Sequence, residues 1–232
     1  MIKTILFDLD GTLLPMDQDI FVEKYFGALG KKFASLGYDG EKSVKTVWHA
    51  IGKMFKNNGE QTNEELFWKV LSGIFDKSDS EAEIFNDFYK FDFQELKNYC
   101  SFNKESAEIV KDIKKAGYRV VLATNPVFPS IATESRIRWA GLEPEYFEFI
   151  TTYENIGYCK PNPYYYSDIA KKLNLVPEQC LMIGNDVEDD MAAEKVGMKV
   201  FLLTDCLINK KGKDISSYQK GDFKALREYL KI

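Results

Sequence analysis

Residues 5–14, ILFDLDGTLL, set the first pattern: three apolar residues run into Asp8, Leu9 separates Asp8 from Asp10, and Gly11-Thr12 follows. An apolar run stopped by acid and glycine predicts a buried strand that ends in a turn. Residues two apart on an extended chain point the same way. Asp8 and Asp10 therefore aim two carboxylates at one place, at the C-terminal end of a strand. In open α/β sheets that edge is where ligands bind.

Helical spacing then takes over. Residues 19–36 carry Ile20, Tyr25, Phe26, Leu29 and Phe33 at helical intervals, and residues 43–56 carry a stripe of Val44, Val47, Trp48, Ile51 and Phe55. A third helix begins near Thr62, where Glu65 three residues on completes a capping box. A fourth covers residues 81–99. No strand pattern occurs between residues 16 and 100.

Beyond residue 100 the pattern alternates. Helices are predicted over 103–116, 129–139, 163–173, 187–196 and 223–230. Strands are predicted over 119–124, 149–152, 179–184 and 199–203. Such alternation indicates βαβ units and a parallel sheet, with right-handed crossovers placing the C-terminal strand ends on one edge. The helical block interrupts this alternation directly after the first strand, so it reads as an inserted domain.

Composition narrows the chemistry. A net charge of −5 provides no overall field for nucleic acid or an anionic membrane. An anionic substrate needs a local cation. The four cysteines, Cys100, Cys159, Cys180 and Cys206, form no C-x-x-C pair and read as free thiols in a reducing compartment. No apolar run approaches the roughly 18 residues of a membrane span, and the N-terminal run is too short for a signal segment. The expectation is a cytoplasmic protein that binds neither nucleic acid nor membrane. The single histidine, His49, has no catalytic motif around it, so carboxylates must carry the chemistry.

Three further stretches fall at predicted C-terminal strand ends. Thr124-Asn125-Pro126 offers a hydroxyl and loop N–H groups to a phosphate oxygen, and is equally good turn chemistry. Lys160, between Cys159 and Pro161, supplies one ammonium beside several carboxylates. Gly184-Asn185-Asp186-Val187-Glu188-Asp189-Asp190 is an acidic strand end. A helix macrodipole accounts for acids at 188–190 but less well for Asp186. Asp186 and Asp190, four apart, share one helical face. The basic run at 210–213 reads as a solvated turn.

In this order, these four stretches resemble the haloacid dehalogenase-like (HAD) superfamily, over residues 1–14 and about 100–205. The resemblance implies an α/β fold with a Rossmann-like parallel sheet core (1–15 and 100–232) and an all-helical cap (16–99). It also implies Mg²⁺ and phosphoryl transfer through an aspartyl-phosphate. By the same resemblance Asp8 attacks phosphorus, and Asp10 protonates the leaving oxygen and then deprotonates water. Thr124, with Asn125 beside it, and Lys160 hold the phosphoryl group. Asp8, Asp10, Asp186 and Asp190 serve the metal. Oxygen ligands without histidine suit Mg²⁺ on chemical grounds as well. Asn185 departs from the family pattern, in which Asp follows Gly directly. An alternative register places Asn185 and Asp189 at the two acidic positions.

The leading expectation is a Mg²⁺-dependent phosphatase acting on a small phosphorylated metabolite, as a monomer or homodimer. Phosphomutase activity on a sugar phosphate and a non-catalytic binding module are the alternatives. A dehalogenase fits less well, since that branch lacks the second acid and needs no metal. Trp48, Phe55, Phe67, Trp68, Phe75, Phe88 and Phe91 are expected in the core of the helical block, and His49 and Lys53 at its surface.

Overall fold

The computed structural model describes residues 1–72 and 79–232. Its centre is a six-stranded parallel sheet in the order β3-β2-β1-β4-β5-β6. The strands are β1 (Thr4–Phe7), β2 (Arg119–Leu122), β3 (Phe149–Ile150), β4 (Cys180–Gly184), β5 (Lys199–Leu203) and β6 (Lys220–Gly221). Neighbouring pairs are parallel throughout. This is the parallel α/β sheet expected from the alternating pattern, in the Rossmann-like form that the resemblance implies.

Alternation along each strand fills two cores. Ile5, Phe7, Val120, Leu122, Leu181 and Ile183 pack on one face, and Leu6, Val121, Ala123 and Met182 on the other. Covered on both faces, β1 is wholly buried, which explains its unbroken apolar run. Phe7 lies level with Leu122 on one side and Ile183 on the other. The ladder continues past the strand ends: the Asp8 N–H donates to the Ile183 carbonyl at 2.9 Å, and Ala123 N–H to the Phe7 carbonyl at 2.7 Å. That register brings the residues after β1, β2 and β4 to one edge.

The segment after β1 is helical: α1 (Gln18–Ser35), α2 (Gly40–Met54), α3 (Asn63–Leu71) and α4 (Asp79–Lys90). Asp17 and Asp39 cap α1 and α2, and Thr62 with Glu65 forms the expected capping box on α3. Phe21, Tyr25, Leu29 and Phe33 make the buried stripe of α1 and join the core that covers one face of the sheet. The chain returns beside its own exit, with Ser101 N–H donating to the Pro15 carbonyl at 2.8 Å. A second attachment is made by Asn63, fully buried. Its backbone N–H donates to the Ile156 carbonyl at 2.9 Å, and its side chain donates to the Pro126 carbonyl at 3.0 Å.

Four expectations change. The fourth helix breaks at Phe91, and a 3₁₀ segment (Asp92–Tyr99) follows. A three-residue period lets Phe93 and Leu96 bury together, Phe93 stacks on Trp139 at 5.1 Å, and Gln94 donates to the Tyr89 carbonyl left free by the break. Residues 187–196 form no α-helix, only a 3₁₀ turn at Met191–Val196. β6 was absent from the sequence pattern because its two residues, Lys220 and Gly221, carry no apolar signal. Finally, the aromatic residues of the block divide. Phe67 and Phe88 are buried, and Trp68 packs against the core. Trp48, Phe55 and Phe91 are 58%, 48% and 67% exposed. Trp48 and Phe55 face a cavity at the sheet edge, and Phe91 sits at the helix break. His49 and Lys53 lie at the surface as expected, and Phe75 falls outside the described residues. The remaining helices are α5 (Lys104–Lys115), α6 (Ser130–Trp139), α7 (Pro163–Lys172) and α8 (Phe223–Leu230). Among the described residues no helix is long and apolar enough to cross a membrane.

Candidate active site

One cavity of about 250 Å³ opens at the C-terminal sheet edge, lined by Asp8, Asp10, Thr124, Asn125, Lys160, Asn185, Asp186, Asp189 and Asp190. Every site residue predicted from the sequence lines this cavity.

At its floor Lys160, only 1% exposed, bridges two carboxylates. Its Nζ donates to Asp8 Oδ1 at 2.8 Å and to Asp190 Oδ1 at 2.6 Å. Burial acts to lower the Lys160 pKa, yet Asp190 and Asp8 outweigh it and hold the ammonium well above its usual value. Lysine has three donors, so one N–H remains. Asp8 Oδ2 is uncommitted among the described residues.

Asp10 is held from the opposite side, by a residue that sequence reasoning missed. Arg136 on α6 is fully buried and pairs through Nη1 with Asp10 Oδ2. It is oriented by the Ala132 carbonyl and Thr133 hydroxyl, each 3.3 Å away, and lies over the Phe128 ring at 4.4 Å. The available signal was an arginine four residues after Ala132 and three before Trp139, inside a core-facing stripe. Asp10 Oδ1 is buried without any hydrogen-bond partner. Burial raises the Asp10 pKa, and the Arg136 charge pulls against that rise without cancelling it. The main-chain carbonyl of Asp10 accepts from Gln18 at 3.0 Å.

The turn after Asp10 requires glycine: Gly11 has φ +83°, and a Cβ there would lie 2.4 Å from the Asn185 amide nitrogen. Asn185 is a brace. Its Oδ1 accepts from the Thr12 hydroxyl at 2.9 Å and its Nδ2 donates to the Cys206 carbonyl at 2.6 Å, tying three loops together.

The acidic stretch owes its shape to its own side chains. Asp186 Oδ1 accepts the N–H groups of Glu188 at 2.7 Å and Asp189 at 2.9 Å, while Asp190 Oδ2 accepts the Asp186 N–H at 2.9 Å. These side-chain bonds satisfy the first N–H groups of the turn as an N-cap carboxylate does, while the Asp190 N–H donates to the Asp186 carbonyl at 3.0 Å. A Cβ on Gly184 would stand 2.0 Å from Asp190 Oδ2, so only glycine admits that carboxylate. Burial and the Asp8 charge push the Asp190 pKa up against the pull of Lys160. Burial raises Asp189 to about 6. Asn125 links the stretch to the lysine loop, donating to Asp189 Oδ2 at 3.3 Å and accepting the Lys160 N–H at 3.2 Å. Thr124 is fixed through its carbonyl, which accepts from Tyr165 and Thr151.

Among the described residues no three histidine, cysteine or acidic side chains form a ready-made cage for an ion. Mg²⁺ requires less, binding one or two carboxylates and completing its shell with water and substrate oxygens. Asp8 Oδ2, the Asp10 carbonyl and the second Asp186 oxygen are hard donors of that kind. Both Asp190 oxygens are already taken, by Lys160 and by the Asp186 N–H.

Comparison with known proteins gives consistent results. A family model described as haloacid dehalogenase-like hydrolase matches residues 2–197. Pyrophosphatase PpaX of Bacillus cereus (strain ATCC 10987 / NRS 248) is 24% identical over 222 residues, 96% of this chain and 91% of that protein. The crystal structure of a predicted phosphoglycolate phosphatase from Haemophilus somnus 129PT superposes with a TM-score of 0.61 at 20% identity, covering 99% of this chain and 98% of that one. A HAD phosphatase from Thermococcus onnurineus gives a TM-score of 0.59 at 17% identity, covering 99% and 98%. At these identities the structural likeness concerns the fold.

Proposed function

Because the chain belongs to the haloacid dehalogenase-like hydrolase family, we propose that this hydrolase is a Mg²⁺-dependent phosphatase that cleaves a small phosphorylated metabolite through an aspartyl-phosphate on Asp8. The observation that carries the reading is the different treatment of the two carboxylates. Asp8 is held by the Lys160 ammonium at 2.8 Å, and Asp10 by Arg136, with one Asp10 oxygen left unpartnered.

Those environments suit two roles. Asp8 Oδ2 attacks phosphorus and forms an acyl phosphate as the ester oxygen departs. Asp10, its pKa raised, gives that oxygen its proton from the unpartnered Oδ1. The resulting carboxylate then takes a proton from water, which attacks phosphorus, releases inorganic phosphate and regenerates Asp8. The third N–H of Lys160 and the polar groups of Thr124 and Asn125 receive phosphoryl oxygens.

Asp8, the Asp10 carbonyl and Asp186 would hold the metal, which when bound neutralises charge on the transferring group. Asp190 supports it indirectly, by fixing Lys160 and the Asp186 backbone. The bracing of Asn185 favours Asp186 over the alternative register. Residues 16–99 act as the cap and residues 1–15 with 100–232 as the core, supported by the Ser101–Pro15 bond where the chain leaves and returns.

The test is phosphate release from an aryl phosphate. Activity is expected with Mg²⁺, none with a chelator, and none in Asp8→Asn. Full activity in chelator would overturn the metal assignment.

A further inference from the structure

The wall of the site opposite the carboxylates differs sharply from its floor. It is built by α1 and α2 and the segment before α6, with Val22, Phe26, Trp48, Ile51, Phe55 and Phe128 facing the same cavity as Asp8 and Asp10. Two polar groups on this side are committed elsewhere: the Gln18 amide donates to the Asp10 carbonyl, and the Tyr25 hydroxyl bonds Tyr89 at 2.9 Å. Lys160 is the only cation among the described lining residues, and it lies at the floor between two carboxylates. Trp48, Phe55 and Val22 leave 58%, 48% and 38% of their surface to solvent, while Phe26 holds Trp48 edge-to-face at 5.0 Å. A cluster of exposed large apolar side chains bordering an acidic site is surface that a ligand covers.

From this juxtaposition we infer that the preferred substrate is a phosphate monoester whose alcohol half is uncharged and apolar, and extends from the phosphoryl position onto the Trp48–Ile51–Phe55 face. The inference rests on the phosphatase reading and narrows its substrate class. A second phosphate or a carboxylate on the leaving group meets no cation among the described residues of this wall, so its charge goes uncompensated there. Pyrophosphate and phosphoglycolate are therefore poor substrates, despite the names carried by related proteins. An apolar alcohol gains from burial, by roughly fourfold in affinity per methylene covered.

The test is a series of unbranched alkyl phosphates, ethyl to hexyl, whose leaving groups are chemically alike, run beside pyrophosphate and phosphoglycolate. Acetyl phosphate serves as a small reactive control for the phosphatase reading. The expected result is a kcat/KM that climbs with chain length, with hexyl phosphate at least tenfold above ethyl phosphate and above both competitors that carry a second anionic group. Trp48→Ala and Phe55→Ala, at half-exposed positions, should each reduce the hexyl-to-ethyl ratio severalfold. A flat series with acetyl phosphate turned over, or faster cleavage of pyrophosphate or phosphoglycolate, would overturn the inference and leave the phosphatase reading standing. No turnover of any compound would defeat the phosphatase reading. In that case titration calorimetry with hexylphosphonate and methylphosphonate decides the wall's role: tighter hexyl binding supports it and equal affinity overturns it.

Discussion

Arg136 and Asp10 form an ion pair between the core of α6 and the mouth of the active site, the arginine fully buried and the aspartate partly so. The pair joins a helix of the sheet domain to the proposed proton donor. It also decides how that donor is presented, since one Asp10 oxygen is occupied by Arg136 and the other is left bare.

Breaking the pair from the arginine side leaves a carboxyl group in a desolvated place with only the more distant Lys160 charge to offset it. Arg136→Met should lower stability by about 3 kcal/mol, the low end for a buried pair because Asp10 keeps some exposure. Denaturant unfolding measures this. Removing the Arg136 charge also raises the Asp10 pKa further, since that charge now pulls it down. The acid must be protonated to assist a poor leaving group, so activity falls as pH rises through its pKa. In Arg136→Met this falling limb of the pH profile should move to higher pH, a shift that simple loss of folding would not produce.

Asp8 and Asp10 should fail in different ways. Asp8→Asn removes the nucleophile, so no phosphoenzyme forms with any substrate. Asp10→Asn keeps it. With an aryl phosphate, whose leaving group needs no proton, the phosphoenzyme should form and persist because water is no longer activated. Intact-mass spectrometry separates the two. A phosphate adduct on Asp8→Asn would refute the role given to Asp8.

The acids of the 186–190 turn should separate in a Mg²⁺ titration. Asp186→Ala should raise the Mg²⁺ requirement most. Asp190→Ala frees Lys160 and the Asp186 backbone, and should cost about 10–100-fold in metal affinity, the range seen when a group supporting a ligand is lost. It should also lower stability. Asp189→Ala should have the least effect. If Asp189→Ala proves the most damaging, the alternative register is correct.

Asp189 also sets a pH dependence. Burial raises its pKa to about 6, from an ordinary value of 3.8. Between those values the folded protein holds a proton that the unfolded chain has released, so metal-free stability falls as pH rises from about 4 to 6. Asp189→Asn removes that penalty and should stabilise the metal-free protein at pH 7 by up to about 3 kcal/mol. Thermal melts in chelator across pH 4–8 measure the difference.

What the sequence revealed was governed by how local each signal was. The apolar run into Asp8, the capping box at Thr62 and the Gly184 strand end two residues before Asp186 are short-range patterns, and they pointed to the sheet, the helices and the acidic edge. Arg136 was hidden because its role depends on a partner 126 positions away. The same holds for Asn63, which reads as an ordinary first residue of a helix until Ile156 and Pro126 are brought beside it. Trp48 and Phe55 share spacing with buried aromatics, and only the third dimension separates a stripe that faces a core from one that faces a cavity. Over 187–196 the apolar spacing that predicts an α-helix is met instead by a 3₁₀ turn at Met191–Val196, which buries Met191, Ala192 and Ala193.

The two attachments of the helical block have a mechanical consequence. A segment joined only at Pro15 and Ser101 would swing about that seam. Here Asn63 and Glu64 donate main-chain bonds to Ile156 and Tyr153, at 2.9 and 2.8 Å, well away from it. Opening the block about that seam therefore requires these bonds to break. The cavity is bordered by the exposed edges of Trp48 and Phe55, and the hydrogen-exchange rates of the Asn63 and Glu64 amides measure how often this second attachment opens.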